Sequence, residues 1–179
     1  PRVCIVGGGK VGFHLARALL ERGQTPVVIE RDEGRCARLA NQLELSVICG
    51  DGTSPQVLET AGCRGAAALV AVTGQDEANL IACQLAKKQF EVPRAAARVN
   101  NPKNTESLKK LGVDITMCST EILTRLLERE VETSALRHVM SLSGGQADLT
   151  EVLLPTDFAL AGQTLTQAPI PPEVVLVSI

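Results

Sequence analysis

The sequence predicts an α/β fold in which a doubly wound parallel sheet carries helices on both faces. Apolar runs alternate with amphipathic segments along most of the chain, an order typical of parallel strands joined by right-handed crossovers. The runs are continuously apolar, as expected of strands that are buried on both faces. They lie at 2–6, 26–30, 45–49, 67–72, 94–99 and 114–117.

The segments between these runs carry local signals of helix ends. The first helix is predicted over 10–22, because Gly23 is a natural stop after the last apolar position. The third begins with Ser54 as N-cap and Pro55 at the first helical position, where the missing N–H costs nothing. The fourth begins near Gln75 and is followed by two acids that suit the positive end of the helix dipole.

From Ser119 the pattern changes to a longer helix that is predicted to reach about Leu136. Charged residues cover one side of this helix and an apolar stripe covers the other. Such a helix packs either on its own sheet or on a partner subunit, and the pattern leaves both interpretations open. The stripe consists of Ile122, Leu123, Leu126, Leu127, Val131 and Ala135.

The remaining chain predicts the beginning of a second, smaller unit. Residues 143–145 form a Ser-Gly-Gly hinge, followed by a strand over 149–154, a short helix over 164–167 and a strand over 174–177. Two strands and one short helix bury too little surface to form a core alone. We therefore expect this unit to be truncated.

The composition argues against nucleic acid and membrane as direct partners. Aromatic residues make up 2% of the chain, without Trp or Tyr, so no stacking platform for bases is expected. The net charge of −2 lacks the positive footprint of a protein that binds a polyanion. No apolar stretch approaches the roughly 20 residues that span a bilayer, and no leader precedes the first strand. We expect a cytoplasmic protein without direct membrane insertion.

The six cysteines are scattered, without a Cys-x-x-Cys pair. This spacing supports neither a zinc site nor a disulfide framework. Free cysteines are commonly buried as small hydrophobic side chains, so we expect most of them in the core. They are Cys4, Cys36, Cys49, Cys63, Cys83 and Cys118.

A glycine cluster between the first strand and the first helix predicts a dinucleotide site. Gly7, Gly9 and Gly12 satisfy Gly-x-Gly-x-x-Gly in the strand–turn–helix context that gives this pattern its meaning. The first glycine permits a tight turn, the second lets the backbone approach a pyrophosphate, and the third allows close packing of the helix. The helix N-terminus favours the phosphates. Lys10 either adds a full charge there or is a solvated surface lysine.

An acid at the end of the second strand completes the expected Rossmann-like site. Glu30 lies eighteen positions after Gly12, where a carboxylate accepts hydrogen bonds from the adenosine ribose. The alternative is an ordinary carboxylate at a strand end. Because an acid repels a 2′-phosphate, NAD is favoured over NADP. Arg31 keeps NADP open, since an arginine at this place accommodates that phosphate.

Two further strand ends are candidate walls of the same site. Asp51 follows the third strand in "GDGT" and is either an acceptor for the adenine amino group or a turn residue. Thr73 and Gly74 end the fourth strand in "VTG", on the switch-point side of the predicted sheet. We expect their backbone to contact the ribose and phosphates.

An ordered series of motifs over 1 to about 136 resembles the RCK (KTN, TrkA-N) domain family, in particular TrkA/KtrA-type regulatory subunits of potassium uptake systems. The motifs are "IVGGGKVGFHLA", "VIERDEGRC", "GDGT", "AVTGQDEANLIAC", "ARVNNP" and "LGVDITMCSTE". The resemblance implies a nucleotide-binding Rossmann domain with its crossover helix over 1–136. It also implies that 137–179 is the start of the small α+β C-terminal (RCK-C) subdomain.

By the resemblance, phosphate contacts fall to the glycine turn, and Arg98 reaches a phosphate or a neighbouring subunit unless it forms a plain surface ion pair. Glu121 corresponds to an acid that faces the phosphates in ATP-binding relatives, through a cation. The complete set of expected contacts is Gly7, Gly8, Gly9, Lys10, Val11, Gly12, Glu30, Arg31, Asp51, Gly52, Thr73, Gly74, Arg98 and Glu121.

The resemblance implies a nucleotide sensor that works on the inner face of the cell membrane. Members bind NAD(H), or ATP and ADP, and their dimers build a ring that gates a membrane-embedded potassium transporter. The only histidines, His14 and His138, lie apart from any catalytic set, so we expect no enzyme. The alternatives are the cytoplasmic RCK domain of a potassium channel and, beyond that, a small NAD-dependent dehydrogenase.

Overall fold

The computed structural model describes residues 1–131, 136–142, 147–164 and 169–177. The chain forms two compact units, Pro1–Leu126 and Leu127–Ile179. This division falls inside the long helix that begins at Ser119. The expected division into domains over 1–136 and 137–179 stays a prediction.

The first unit contains six parallel strands, which confirms the predicted doubly wound sheet. The strands are β1 (Arg2–Val6), β2 (Thr25–Glu30), β3 (Ser46–Cys49), β4 (Ala68–Ala71), β5 (Ala95–Val99) and β6 (Ile115–Cys118). Their order across the sheet is β3-β2-β1-β4-β5-β6, so successive strands are added toward one edge up to β3 and toward the other edge from β4 onward. A crevice opens beyond the carboxyl ends of the strands at such a switch point, here between β1 and β4.

Helices connect the strands, and those at Lys10, Pro55 and Asp76 begin within one residue of the predicted positions. Asp32 caps the helix that begins at Glu33 by accepting the Arg35 N–H at 2.7 Å, and Pro55 takes the first position of its helix. No helix in the described parts of the chain has both the length and the hydropathy to cross a bilayer. The helices are α1 (Lys10–Glu21), α2 (Glu33–Gln42), α3 (Pro55–Thr60), α4 (Asp76–Lys88), α5 (Thr105–Lys110) and α6 (Ser119–Val131), with a 3₁₀ turn at Pro102–Asn104.

The sheet separates two apolar layers, and the alternation of side chains along each strand feeds both. In β1, Cys4 and Val6 enter the larger layer, whereas Val3 and Ile5 enter the smaller one. Phe90 is the largest fully buried side chain of the larger layer. Burial on both faces explains why the strands appear in the sequence as continuous apolar runs.

The second unit contains an antiparallel hairpin of β7 (Leu136–Leu142) and β8 (Ala147–Val152), with an irregularity between His138 and Met140. The predicted strand over 149–154 is therefore present but begins earlier. The helix predicted to reach about Leu136 does not do so, because that residue begins β7. The hinge at 143–145 and all but the first residue of the helix at 164–167 lie outside the described residues.

The strand predicted over 174–177 is wrong, since these residues are described without strand structure. A β-branched run becomes a strand only when it pairs with another strand. Within the described residues, Val175 and Val177 instead remain exposed to solvent.

The cysteines divide into two groups. Cys4, Cys63, Cys83 and Cys118 are free and buried, as predicted. The expectation that no disulfide forms is wrong, because Cys36 is bonded to Cys49 with a Cα–Cα distance of 6.0 Å. The crossover brings the first turn of α2 beside the end of β3, and a spacing rule for nearby cysteines does not detect such a pair.

Candidate ligand-binding cleft

A cavity of about 370 Å³ opens at the carboxyl ends of the central strands. Four loops contribute to it, those that follow β1, β2, β3 and β4, together with the end of β5. This is the switch-point position at which doubly wound sheets bind ligands. The lining consists of Val6, Gly7, Gly9, Lys10, Val11, Ile29, Glu30, Arg31, Arg35, Gly50, Asp51, Gly52, Thr53, Val72, Thr73, Gly74, Gln75, Ala78 and Arg98.

The glycine turn places the N-terminus of α1 at the cavity. Gly7 has φ +107°, a conformation that other residues rarely adopt, and its N–H donates to the Ile29 carbonyl at 2.8 Å. A Cβ at Gly12 would overlap the carbonyl oxygen of Gly7, so only glycine permits this close approach of helix and turn. The first N–H groups of a helix have no intrahelical partner and are suited to bind an anion.

Glu30 fastens the glycine turn to the end of β2. Its side chain is 5% exposed, and its Oε2 accepts the Gly8 N–H at 2.8 Å. Its Oε1 accepts the Asp32 N–H at 2.9 Å and lies 3.6 Å from Nη2 of Arg35. A carboxylate has about four lone-pair sites, so Glu30 keeps capacity for the hydroxyl groups of a ligand.

Arg35 lines the cavity but was not among the predicted contacts. It lies in the first turn of α2, where a cation is unfavourable beside the positive end of the helix dipole. Its proximity to Glu30 and Asp32 compensates for that position. Arg35 could therefore have been predicted as a lining residue from the sequence, because it is a cation in the first turn of a helix that follows a strand-end acid.

Asp51 is a turn residue that also lines the cavity, and its contact with adenine stays a prediction. Its Oδ1 accepts the Thr53 N–H at 2.8 Å and the Thr53 hydroxyl at 2.7 Å, which makes it a turn residue. These two hydrogen bonds hold the pKa of Asp51 below its usual value, so the group is anionic at neutral pH. The carboxylate also lines the cavity, where it faces any ligand as an acceptor.

A buried asparagine holds the opposite side of the cavity. Asn79 is fully buried, and its Oδ1 accepts both the Thr73 N–H at 3.0 Å and the Thr73 hydroxyl at 2.6 Å. Its Nδ2 donates to the Arg98 carbonyl at 2.8 Å and to the Thr73 carbonyl at 3.2 Å. One side chain therefore fixes the end of β4 to the end of β5. The sequence signal for it is a polar residue on the buried face of an amphipathic helix.

Asp76, which is 6% exposed, organises the loop that follows β5. Its Oδ1 accepts the Asn100 N–H at 2.7 Å, and its Oδ2 accepts the Asn101 N–H at 3.0 Å and Nδ2 of Asn104 at 2.8 Å. Burial acts to raise the pKa of Asp76, but the donors from Asn100, Asn104 and Asn101 outweigh it, and the pKa lies below its usual value. The sequence had assigned this acid only to the helix dipole.

Arg98 lines the cavity and has a buried nitrogen, Nε, that lacks a hydrogen-bond partner among the described residues. A buried donor on a charged group is costly when it is unpaired, and a ligand anion satisfies it best. Lys10, Arg31, Arg35 and Arg98 also outnumber the carboxylates of the lining, Glu30 and Asp51, so the cavity favours an anionic ligand.

Comparison with known families agrees with this geometry. The TrkA-N domain family matches residues 3–119. The chain belongs to the TrkA-N domain family. The matched range of this TrkA-N domain contains every element that lines the cavity.

Relatives of the whole chain include potassium uptake proteins. The chain is 37% identical over 150 residues to a "Trk system potassium uptake protein TrkA homolog" of Methanothermobacter thermautotrophicus, covering 84% of this chain and 69% of the relative. It is 32% identical over 179 residues to the "Trk system potassium uptake protein TrkA" of Mycobacterium tuberculosis, covering 99% of this chain and 81% of the relative. A solved structure, "GsuK channel bound to NAD", is similar with a TM-score of 0.71 and 25% identity, over 80% of this chain but only 26% of the channel chain.

Most of the predicted contacts come together in the cleft of the TrkA-N domain. Gly8 and Gly12 are absent from the described lining and instead shape the turn, through the bond to Glu30 and the contact with Gly7. Glu121 is also absent from that lining and lies in the first turn of α6. The predicted residues that line the cavity are Gly7, Gly9, Lys10, Val11, Glu30, Arg31, Asp51, Gly52, Thr73, Gly74 and Arg98.

Proposed function

We propose that this chain is a nucleotide-sensing regulatory domain of a potassium uptake system and that the cleft binds NAD(H). The observation that carries the proposal is the meeting of the α1 N-terminus, the buried Glu30 and the unpaired Nε of Arg98 in one cavity. The names of the Trk relatives support the transport role, and the NAD-bound channel structure supports the ligand.

The cleft offers a distinct group to each part of an adenine dinucleotide. The N–H groups of the α1 N-terminus, with Lys10 and Arg98, serve the phosphates, and Glu30 serves the adenosine ribose. Asp51 serves the adenine amino group. A 2′-phosphate would meet the Glu30 carboxylate, so the site prefers NAD to NADP. ATP and ADP share the adenosine and phosphate groups and compete for the same positions.

A sensor of this kind works by differential affinity rather than by chemistry. A nucleotide shifts an equilibrium between two arrangements only when it binds one of them more tightly. We assign the chain this role instead of hydride transfer because the named relatives are potassium uptake proteins and a channel. Steady oxidation of NADH in the presence of small carbonyl compounds would support the dehydrogenase alternative.

Parallel calorimetric titrations of the full chain with NAD, NADH, ATP and ADP test the ligand. We expect saturable binding of at least one dinucleotide, with competition by ADP. NADP serves as the matched control, because it differs from NAD only in the 2′-phosphate. Failure of all four nucleotides to bind would overturn the proposed function.

We further propose that the chain forms dimers that build a ring on the cytoplasmic face of the membrane, against a membrane-embedded transporter. In this arrangement 1–136 is the nucleotide-binding domain and 137–179 begins the C-terminal subdomain. Support comes from α6, which exposes several apolar side chains, because an exposed apolar patch is typical of a protein–protein interface. These side chains are Ile122, Leu123, Leu126, Leu127 and Val131.

The double substitution Leu126→Lys and Leu127→Lys tests the dimer. Both side chains are at least 49% exposed, so their replacement leaves the core of either unit intact. We expect the particle mass from light scattering to fall to that of a monomer. The matched control Glu128→Lys changes the charge of the same helix without removing an apolar side chain, and it should keep the dimer. An unaltered mass of the double variant would assign α6 to other contacts.

The second candidate is the cytoplasmic RCK domain of a potassium channel. The similarity to the GsuK channel favours it, because that likeness covers 80% of this chain. The complete gene separates the two candidates. Pore helices encoded in the same reading frame indicate a channel, and their absence from the full reading frame indicates a separate subunit.

A further inference from the structure

A disulfide lies directly beside the cleft. Cys36 belongs to the first turn of α2 and follows Arg35, which lines the cavity. Cys49 ends β3 and precedes Gly50, which also lines it. The bond between the two cysteines therefore connects two separate segments of the cavity wall.

We propose that Cys36 and Cys49 form a reversible thiol–disulfide site whose redox state sets the affinity of the cleft for adenine nucleotides. This inference rests on the proposed function, since it concerns the same site. The reagents are a small or protein dithiol as reductant and a low-molecular-weight disulfide as oxidant. Disulfides of proteins that work in a reducing compartment are more often redox-sensing than structural.

The two sulfur atoms differ in access, which determines the course of the exchange. Cys49 is exposed, whereas Cys36 is only 8% exposed. A reductant thiolate attacks Sγ of Cys49, the S–S bond breaks, and its electron pair leaves with Sγ of Cys36, which then takes a proton. The second thiol of the reductant displaces Cys49, which takes the other proton. The protein gains two electrons and two protons, and the reductant becomes a disulfide.

The bond acts on the residues that bind the ribose and adenine. Sγ of Cys36 lies 3.1 Å from the carbonyl oxygen of Glu30, and the same oxygen accepts the Gly50 N–H at 2.8 Å. In the dithiol form the Cys36 thiol donates to this oxygen, and the covalent bond between α2 and β3 is lost. The neighbouring residues Arg35 and Asp51 then gain conformational freedom, which a ligand must remove on binding.

The disulfide form is consequently the tighter binder. Because binding and redox state are linked reciprocally, the nucleotide must stabilise the disulfide by the same factor by which the disulfide strengthens nucleotide binding. A fivefold difference in affinity corresponds to a reduction potential that is about 20 mV more negative in the presence of saturating nucleotide. This reciprocity gives two independent measurements of one quantity.

The test uses the full chain equilibrated with oxidised glutathione or with dithiothreitol and titrated with NADH and ADP in a calorimeter. Thiols counted after unfolding should number four in the oxidised form and six in the reduced form. We expect at least about fivefold tighter binding by the oxidised form. The variant with Cys36→Ser and Cys49→Ser should bind with one affinity under both conditions. Cys49→Ser alone changes only the exposed position and serves as the second variant if the double variant does not fold.

Three outcomes would contradict the inference, and they distinguish failure of the redox site from failure of the nucleotide site. Equal affinity of the two forms would overturn the redox site and leave the nucleotide site intact. Six thiols under both conditions would do the same, because the bond would not form. Absence of binding in both forms would overturn the proposed function together with this inference.

Discussion

The two sides of the cleft are held in different ways. We call the ends of β4 and β5, with Thr73 and Arg98, the inner rim, and the ends of β2 and β3, with Glu30, Arg35 and Asp51, the outer rim. The inner rim is tied together by polar side chains that lie in the protein interior. The outer rim is tied together by the buried Glu30 carboxylate and by a disulfide of which one cysteine, Cys49, is exposed.

The inner rim is organised before any ligand arrives. Asn79 and Asp76 are buried, and their side chains satisfy backbone groups on both sides of the cleft wall. Hydrogen bonds in such a low-dielectric environment are strong when complete and costly when incomplete. The backbone of Arg98 is therefore held in place at the cleft, and its buried Nε has no hydrogen-bond partner among the described residues.

The outer rim is adjustable by comparison. The Arg35 side chain is 43% exposed, and its ion pairs with Glu30 and Asp32 span 3.6 and 3.8 Å. Exposed pairs at such distances contribute little because water screens them. In our proposal the inner rim supplies a contact held by buried hydrogen bonds, and the outer rim is the part that responds to the redox state.

The largest effect should follow from breaking the inner rim with Asn79→Ala. The substitution takes the Asn79 side chain away from the Thr73 N–H and the Arg98 carbonyl. The Thr73 carbonyl keeps Nδ2 of Asn100 as a donor. We expect the free energy of unfolding to fall by about 3 kcal/mol, measured by denaturant titration. Asn41→Ala, at an exposed position of α2, is the matched control and should change stability by less than about 0.5 kcal/mol. A loss as small as that of the control would show that Asn79 does not hold the rim.

The next effect concerns Asp76→Asn, which replaces two acceptor oxygens by one. The amide NH₂ then faces donors, so we expect a loss of about 2 kcal/mol near pH 7, measured by denaturant titration. The pKa of Asp76 is lowered in the folded state, so its contribution is present above the ordinary value of 3.8 and is lost as the pH falls through the folded pKa. The stability of the variant should therefore vary less than that of the wild type below about pH 4.

The contrast between the rims also explains what the sequence could reveal. The sheet and Glu30 were predictable because their signals are local, in continuous apolar runs and in a glycine turn with an acid at a fixed distance. The Cys36–Cys49 bond was not, since it depends on two elements that only the folded crossover brings together. Asn79 was overlooked because a polar residue within a helix is ordinarily solvated.

The second unit also shows that local sequence signals do not determine where strands form. Residues 174–177 have the β-branched character of a strand but form none, whereas β7 begins at Leu136, where the pattern had predicted the end of a helix. Pairing with β8 decides the second case, because tertiary context overrides weak local propensity.

Glu30→Ala tests the anchor of the outer rim. The variant removes the proposed ribose acceptor and frees the Gly8 N–H, so we expect the binding free energy of NADH to weaken by about 1.5 kcal/mol, or roughly tenfold. Calorimetric titration measures this change. Glu33→Ala, an exposed acid three residues later, is the matched control and should keep the affinity of the wild type. Unchanged affinity of Glu30→Ala would remove Glu30 from the site.

The smallest effect should come from Arg35→Gln. Since the side chain is 43% exposed and its ion pairs are long, we expect stability to change by less than about 0.5 kcal/mol. NADH affinity should fall about twofold to threefold at low salt, and this difference should vanish near 1 M salt, where the screening length is about 3 Å. Arg38→Gln, one turn later on α2, controls for the change in net charge. A large and salt-independent loss would instead mean that Arg35 is held as firmly as the residues of the inner rim.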